Sequence, residues 1–112
     1  MKYPNFIKKH STLGIPAPSD GAYNAKKNNR FTHAALFFKE RNYNLIVSKN
    51  LNNSNKGRSA SAKERGEEIT EMFKNKEIDA ILCAAGGDFL IEILPFVNFE
   101  ELVKNPKYVV GF

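Results

Sequence analysis

The feature that most limits the fold is the run IDAILCAA at residues 78–85, which ends on Gly86-Gly87. An unbroken apolar stretch of this length, closed by glycine, predicts a strand buried on both faces. Such strands belong to parallel sheets covered by helices. The flanking sequence agrees. Residues 12–17 (TLGIPA) form a short apolar run that breaks at Pro18-Ser19-Asp20-Gly21, a turn signal. From about Asn24 to Arg41, Phe31, Ala34, Ala35 and Phe38 recur at i, i+3, i+4 and i+7, one face of a helix that Asn42 ends. Residues 43–48 (YNLIVS) predict a strand rich in branched and aromatic side chains. The polar, aperiodic residues 49–60 predict an exposed loop.

Ser61-Ala62-Lys63-Glu64 is a capping box, in which hydroxyl and carboxylate each satisfy a free N–H of the first helical turn. The helix behind it runs to about Asn75, with Ala62, Ile69, Met72 and Phe73 facing inward. Phe89 to Phe96 predicts a short helix, Asn98 to Val103 another with Asn98 as N-cap, and Tyr108 to Phe112 (YVVGF) a fourth strand. Residues 1–11 are an irregular basic lead-in, and residues 12–112 make one domain. The order β-α-β-α-β-α-β implies an open, mostly parallel α/β sheet with right-handed crossovers. Ligands of such sheets bind beyond the carboxyl ends of the strands. Two loops occupy those ends, Pro18–Gly21 after the first strand and Gly86–Asp88 after the third.

Composition narrows the function classes. Residues 1–56 carry ten Lys/Arg against two acids, and residues 57–112 carry seven against ten, within a net charge of +5. The basic half lacks the interleaved aromatic and basic residues of single-strand binders, so it is read as a solvated surface and nucleic acid is not an expected partner. No apolar run approaches the roughly 20 residues that span a bilayer, and no apolar stretch follows the first lysines as in a secretory signal. One cysteine excludes an internal disulfide and a multi-cysteine zinc site. The expectation is a cytoplasmic protein away from membranes. Ending on Phe112 without a turn or polar tail predicts a fragment whose last strand exposes an edge, hence a possible homo-oligomer.

Each candidate site residue has two readings. Gly86-Gly87 lets the backbone approach a ligand and offers N–H groups to an anion or oxyanion; alternatively the glycines only make the turn. Asp88 is a candidate acid or base, and equally the N-cap of the next helix. Cys83, inside an apolar strand, reads as a buried, inert thiol. Ser19 either meets a substrate or serves the turn with Pro18. Glu92 reads by default as an exposed helix charge able to pair with a nearby base. His10 and His33, on a lead-in and a helix, have no ligand spacing. The chain has no G-x-G-x-x-G after its first strand and no Walker A loop, so no cofactor is expected, and no metal.

Three segments carry a resemblance: LGIPAPSDGA (13–22), SASAKERGEEITEMFKNKEIDAILCAAGGD (59–88) and ILPFVNFEELVKNPKYVVGF (93–112). In order and spacing they resemble the amino-terminal domain of the LD-carboxypeptidase family of serine peptidases, which includes the microcin C self-immunity peptidases. The most specific parts are S-A-S-x-x-x-R, I-D-A-I with its Gly-Gly, and L-P-[FY]-x-x-F followed by K-N-P-K. The resemblance implies a glutamine-amidotransferase-like sheet. It also implies cleavage of an amide next to a D-amino acid in muropeptides during peptidoglycan recycling, or of a related peptidyl-nucleotide bond. A Ser-His-Glu triad would do this chemistry, with the serine on an elbow reading Gly-Gly-x-x-Ser and backbone N–H groups forming the oxyanion hole. Here the elbow is Gly86-Gly87-Asp88-Phe89-Leu90, so leucine stands at the nucleophile position. The family's glutamate and histidine come from a carboxy-terminal domain outside these residues. The resemblance therefore leaves no catalytic residue in this chain. It assigns Gly86, Gly87, Asp88, Leu90 and Ile91 to the oxyanion-hole and substrate-binding loop, and Pro18 and Ser19 to a substrate loop. The expected partner of the full-length form is a muropeptide-like substrate. The alternative is a degenerate, non-enzymatic domain that binds a peptide or a partner.

Overall fold

The computed structural model describes residues 3–4, 7–8, 10–22, 24–54, 56–85, 87 and 89–111. Four parallel strands form one sheet: β1 (Thr12–Ile15), β2 (Asn44–Val47), β3 (Ala80–Leu82) and β4 (Tyr108–Val110), in the order β2-β1-β3-β4. Three α-helices accompany them, α1 (Ala25–Glu40), α2 (Ala62–Lys74) and α3 (Phe99–Lys104), with a 3-10 helix at Leu90–Phe96. The βαβαβαβ order expected from the sequence is therefore present, and every strand pair is parallel. β3 is shorter than the run 78–85, although the ladder hydrogen bonds continue beyond it, from Asp79 N to Thr12 O at 2.8 Å and from Ala84 N to Pro16 O at 2.9 Å.

Helix ends follow the local chemistry. Asn24 caps α1 by accepting from Lys27 N at 2.8 Å. At the other end Asn42 is left-handed, at φ 66°, its N–H donates to Lys39 O at 3.0 Å, and Tyr43 N donates to Phe38 O at 3.1 Å. This is a Schellman motif, and Phe38 and Tyr43 supply its apolar contact with rings edge-to-face at 5.7 Å. Asn98 caps α3 through Glu101 N at 3.3 Å, as the sequence predicts, and Ser61 caps α2 through Glu64 N at 3.1 Å, the serine half of the expected capping box.

Right-handed crossovers place successive helices by the direction of travel across the sheet. The chain moves from β1 to β2 in one direction, then back across β1 to β3 and on to β4. α1 therefore lies over one face, and α2, the 3-10 helix and α3 over the other. That second face holds the core cluster of Ile69, Met72, Phe73, Ile78, Ile81 and Ile93. Gly66 lets α2 meet the 3-10 helix closely, because a Cβ there would lie 2.7 Å from Phe96 Cβ. The α1 side is open by comparison. No residue of α1 is buried, and a cleft of about 570 Å³ separates Phe31, Ala34 and Phe38 from Ile15, Leu82 and Cys83.

Two expectations need correction here. Residues 49–60 are not wholly exposed: Asn50, Leu51, Ser59 and Ala60 are buried. Their backbones bond the loop after β1, with Ala22 N donating to Leu51 O at 2.5 Å and Ser59 N to Ser19 O at 3.0 Å. A polar loop is drawn inward when it is the partner for another loop's N–H and C=O groups. Ala62 is only half-buried, since the inward face of α2 is set by Arg65, Gly66, Ile69, Thr70, Met72 and Phe73.

Candidate functional site

The strand order reverses between β1 and β3, the position where open α/β sheets leave a crevice at their carboxyl ends. The loop after β1 and the turn after β3 meet there. Pro16, Ala17, Pro18 and Ser19 are all buried. Ser19, 2% exposed, does not present its hydroxyl outward: Oγ accepts from Phe89 N at 3.0 Å and lies 3.4 Å from Asp20 Oδ1. Asp20 in turn pairs with Lys27 Nζ at 2.9 Å. The hydroxyl thus ties the two loops together.

Gly87 approaches this loop so closely that a Cβ would fall 2.5 Å from Ser19 Oγ and into the Asp20 carboxylate; its φ is +154°. Only glycine fits the contact. Gly86 and Asp88 lie outside the described residues. The N-cap position of the 3-10 helix is Phe89, which makes no side-chain cap hydrogen bond. Leu90 and Ile91 open the helix and are 45% and 73% exposed.

Arg65 is the organiser that the sequence reading named only as a letter of a motif. Its side chain is 1% exposed, and it lies on the inner face of α2, four residues before Ile69 and seven before Met72. That helical spacing was the available signal. NH1 donates to Pro18 O and to Phe89 O, both at 2.9 Å; Nε donates to Ala60 O at 3.0 Å; NH2 pairs with Glu92 Oε1 at 2.7 Å. Glu92 also takes a two-point contact from Arg58, Nε to Oε1 at 2.8 Å and NH2 to Oε2 at 2.9 Å. Arg58 stacks on the Phe89 ring with its guanidinium carbon 4.0 Å from the centroid. Glu92 is therefore not a free helix charge. Hydrogen bonds first from Arg58 and then from Arg65 hold its carboxyl at about 2.

Glu68, half-buried on α2, is a second carboxylate that ties segments together. It accepts from Ala17 N at 3.2 Å and from Ser48 Oγ at 2.7 Å, joining the ends of β1 and β2. Cys83 sits one residue beyond β3 and is half-buried on the cleft wall, not enclosed in the strand; burial pushes its thiol up. His10 lies in the turn before β1, at the amino end of the sheet, and His33 is exposed on α1, so neither reaches the crevice. Among the described residues no group of three His, Cys, Asp or Glu side chains converges to hold a metal, and no helix is long and apolar enough to cross a membrane.

The crevice thus has a buried, hydrogen-bonded floor, a glycine turn and an apolar pair, Leu90 and Ile91, at its rim. A leucine side chain cannot attack a carbonyl, and the buried Ser19 hydroxyl is occupied by Phe89 N.

Comparison with known proteins agrees with this architecture. The chain is 31% identical over 101 residues to the microcin C7 self-immunity protein MccF of Escherichia coli, covering 90% of this chain and 29% of that protein. It is 29% identical over 109 residues to a probable murein peptide carboxypeptidase of Bacillus subtilis strain 168, covering 97% of this chain and 33% of that one. The solved structure of MccF in complex with aspartyl sulfamoyl adenosine superposes with a TM-score of 0.92 at 27% identity, over 100% of this chain and 33% of the other. The chain spans about a third of the length of the curated relatives it matches. Residues 13–112 match the model of the LD-carboxypeptidase N-terminal domain, and the chain belongs to that family.

Proposed function

We propose that the crevice between the loop after β1 and the turn after β3 is the substrate-side part of an LD-carboxypeptidase-like site, and that these 112 residues by themselves bind a peptide ligand without cleaving it. The substrate class is a muropeptide with a D-amino acid, or a peptidyl-nucleotide amide, handled in the cytoplasm during peptidoglycan recycling. The kinds of relative support this class: one carries the name of a murein peptide carboxypeptidase, and another was solved with an aminoacyl sulfamoyl nucleoside. Leu90, the exposed first residue of the 3-10 helix, carries the absence of cleavage. It stands where the family's elbow has its serine, and removing the nucleophile from a triad costs about a million-fold in turnover. Gly87, Leu90 and Ile91 form the binding rim, and Pro18 and Ser19 support it from below; Gly86 and Asp88, outside the described residues, join the proposed loop by their place in the sequence alone.

Titration calorimetry with an L,D-linked tetrapeptide and with aspartyl sulfamoyl adenosine tests the reading. The expected outcome is binding of at least one ligand, no release of the terminal D-residue and no labelling by a fluorophosphonate. Specific serine labelling refutes the inactive site. Failure to bind either ligand favours the second reading, a partner-binding domain. That reading has its own observation: Tyr108, Val109 and Val110 leave the β4 edge exposed and apolar, a surface suited to association with a second copy.

A further inference from the structure

We infer that Arg65 is the positioning residue of the crevice, a buried guanidinium that Glu92 locks in place so that it fixes the loop after β1 against the turn after β3. The inference rests on the proposed site being the functional one, and it adds to that reading the group that sets the site's shape.

Three observations carry it. The two loops come from separate crossovers, with nothing in the local sequence to set their separation. Arg65 bridges them directly, because the same NH1 reaches Pro18 O in one and Phe89 O in the other, each at 2.9 Å. Its other two nitrogens are engaged as well, Nε on Ala60 O and NH2 on Glu92, which fixes the orientation of the planar fork. Finally, the carboxylate that locks it belongs to the 3-10 helix opened by Leu90 and Ile91, and that carboxylate is braced from the other side by Arg58. The helix carrying the rim is thereby tied to the floor.

Arg65 touches carbonyls and a carboxylate, not the space where a ligand would lie. Its effect on binding passes through Phe89, whose N–H reports the geometry because it donates to Ser19 Oγ across the junction. A lysine cannot substitute, since a single ammonium on a flexible stem cannot span two carbonyls and a carboxylate in fixed directions. Glu92→Gln is the milder variant. It keeps the shape of the side chain and removes the charge that orients the fork.

The test is residue-resolved amide exchange by NMR on the 112-residue chain, comparing wild type, Arg65→Lys and Glu92→Gln, with the Ile81 amide as the core reference. The expected result is exchange at Phe89 faster by about tenfold or more in both variants, with Ile81 changed by less than about threefold, because local opening and global unfolding separate at different amides. Where Arg65→Lys fails to fold, Glu92→Gln decides. Unchanged exchange at Phe89 in Glu92→Gln, or equal acceleration at Phe89 and Ile81, overturns the positioning role. Ligand titration of the wild type is a separate readout: absence of binding there removes the functional reading, while the exchange pattern still accepts or rejects Arg65 as the clamp.

Discussion

Gly66→Ala sets two opposing effects against each other on one residue. In an open helix the change stabilises by about 1 kcal/mol, because alanine loses less backbone entropy than glycine. Here the new Cβ would lie 2.7 Å from Phe96 Cβ, 2.9 Å from its carbonyl carbon and 3.0 Å from its carbonyl oxygen. Carbon pairs are at ease at about 3.5–4.0 Å, so the 3-10 helix must retreat by close to an ångström. None of the three atoms can swing away, as a side-chain tip would. A retreat also draws Ile93, 3% exposed, off the Ile69–Phe73 cluster. Overpacking of this kind costs about 1–3 kcal/mol, and the lost core contact adds to it. The net expectation is destabilisation by about 1–2 kcal/mol, out of a total of about 5–15 for a domain of this size. Urea unfolding followed by circular dichroism is the assay. With a slope of about 1–3 kcal/mol per molar urea, the midpoint falls by roughly 0.3–2 M. Phe96→Ala in the same background gives no relief, because the contacted atoms remain. A midpoint that rises, or a double variant that recovers the loss, refutes the close approach of α2 to the 3-10 helix.

Gly87→Ala meets both a steric and a backbone obstacle, and the urea midpoint is expected to drop by the equivalent of about 2 kcal/mol; an unchanged midpoint means that the turn does not touch Ser19. Glu92 has its carboxyl held at about 2, below the ordinary unfolded value of about 4.3, so its contribution is complete above that unfolded value and disappears as pH falls towards 2. The stability difference between wild type and Glu92→Gln should be flat from pH 8 to about pH 5 and shrink below it, and a difference that grows on acidification contradicts the pairing with Arg58 and Arg65. Because burial raises the Cys83 thiol, its alkylation by iodoacetamide at pH 8 should run slower than that of a free thiol, accelerate with pH and reach the free rate in urea; a native rate equal to the unfolded one places the thiol in solvent.

Much of the fold was legible because its signals are local. Asn24, Ser61 and Asn98 cap their helices through side chains that reach only three residues along, and Asn42 ends α1 by a backbone conformation open to few residues. The apolar run at 78–85 told of a doubly covered strand, and alternation with helices told of parallel pairing. The site was less legible. Leu90 was singled out only through the family resemblance, which sets it against the serine of the family's elbow. Glu92 and Arg65 did not stand out, because a charge on a helix looks solvated until its partner from another crossover is known. Ser19 looked like a turn residue, and its bond to Phe89 N spans 70 positions of sequence.

By itself, then, the order of residues determined the type and sequence of the elements and the crossover handedness, all of which follow from short-range periodicity and capping. Tertiary structure alone decided that Asn50, Leu51, Ser59 and Ala60 turn inward, that one arginine joins both crevice loops, and that glycine is required at 87 and 66. Those outcomes depend on distances between segments far apart in the chain, and such distances are fixed only when the sheet brings the segments together.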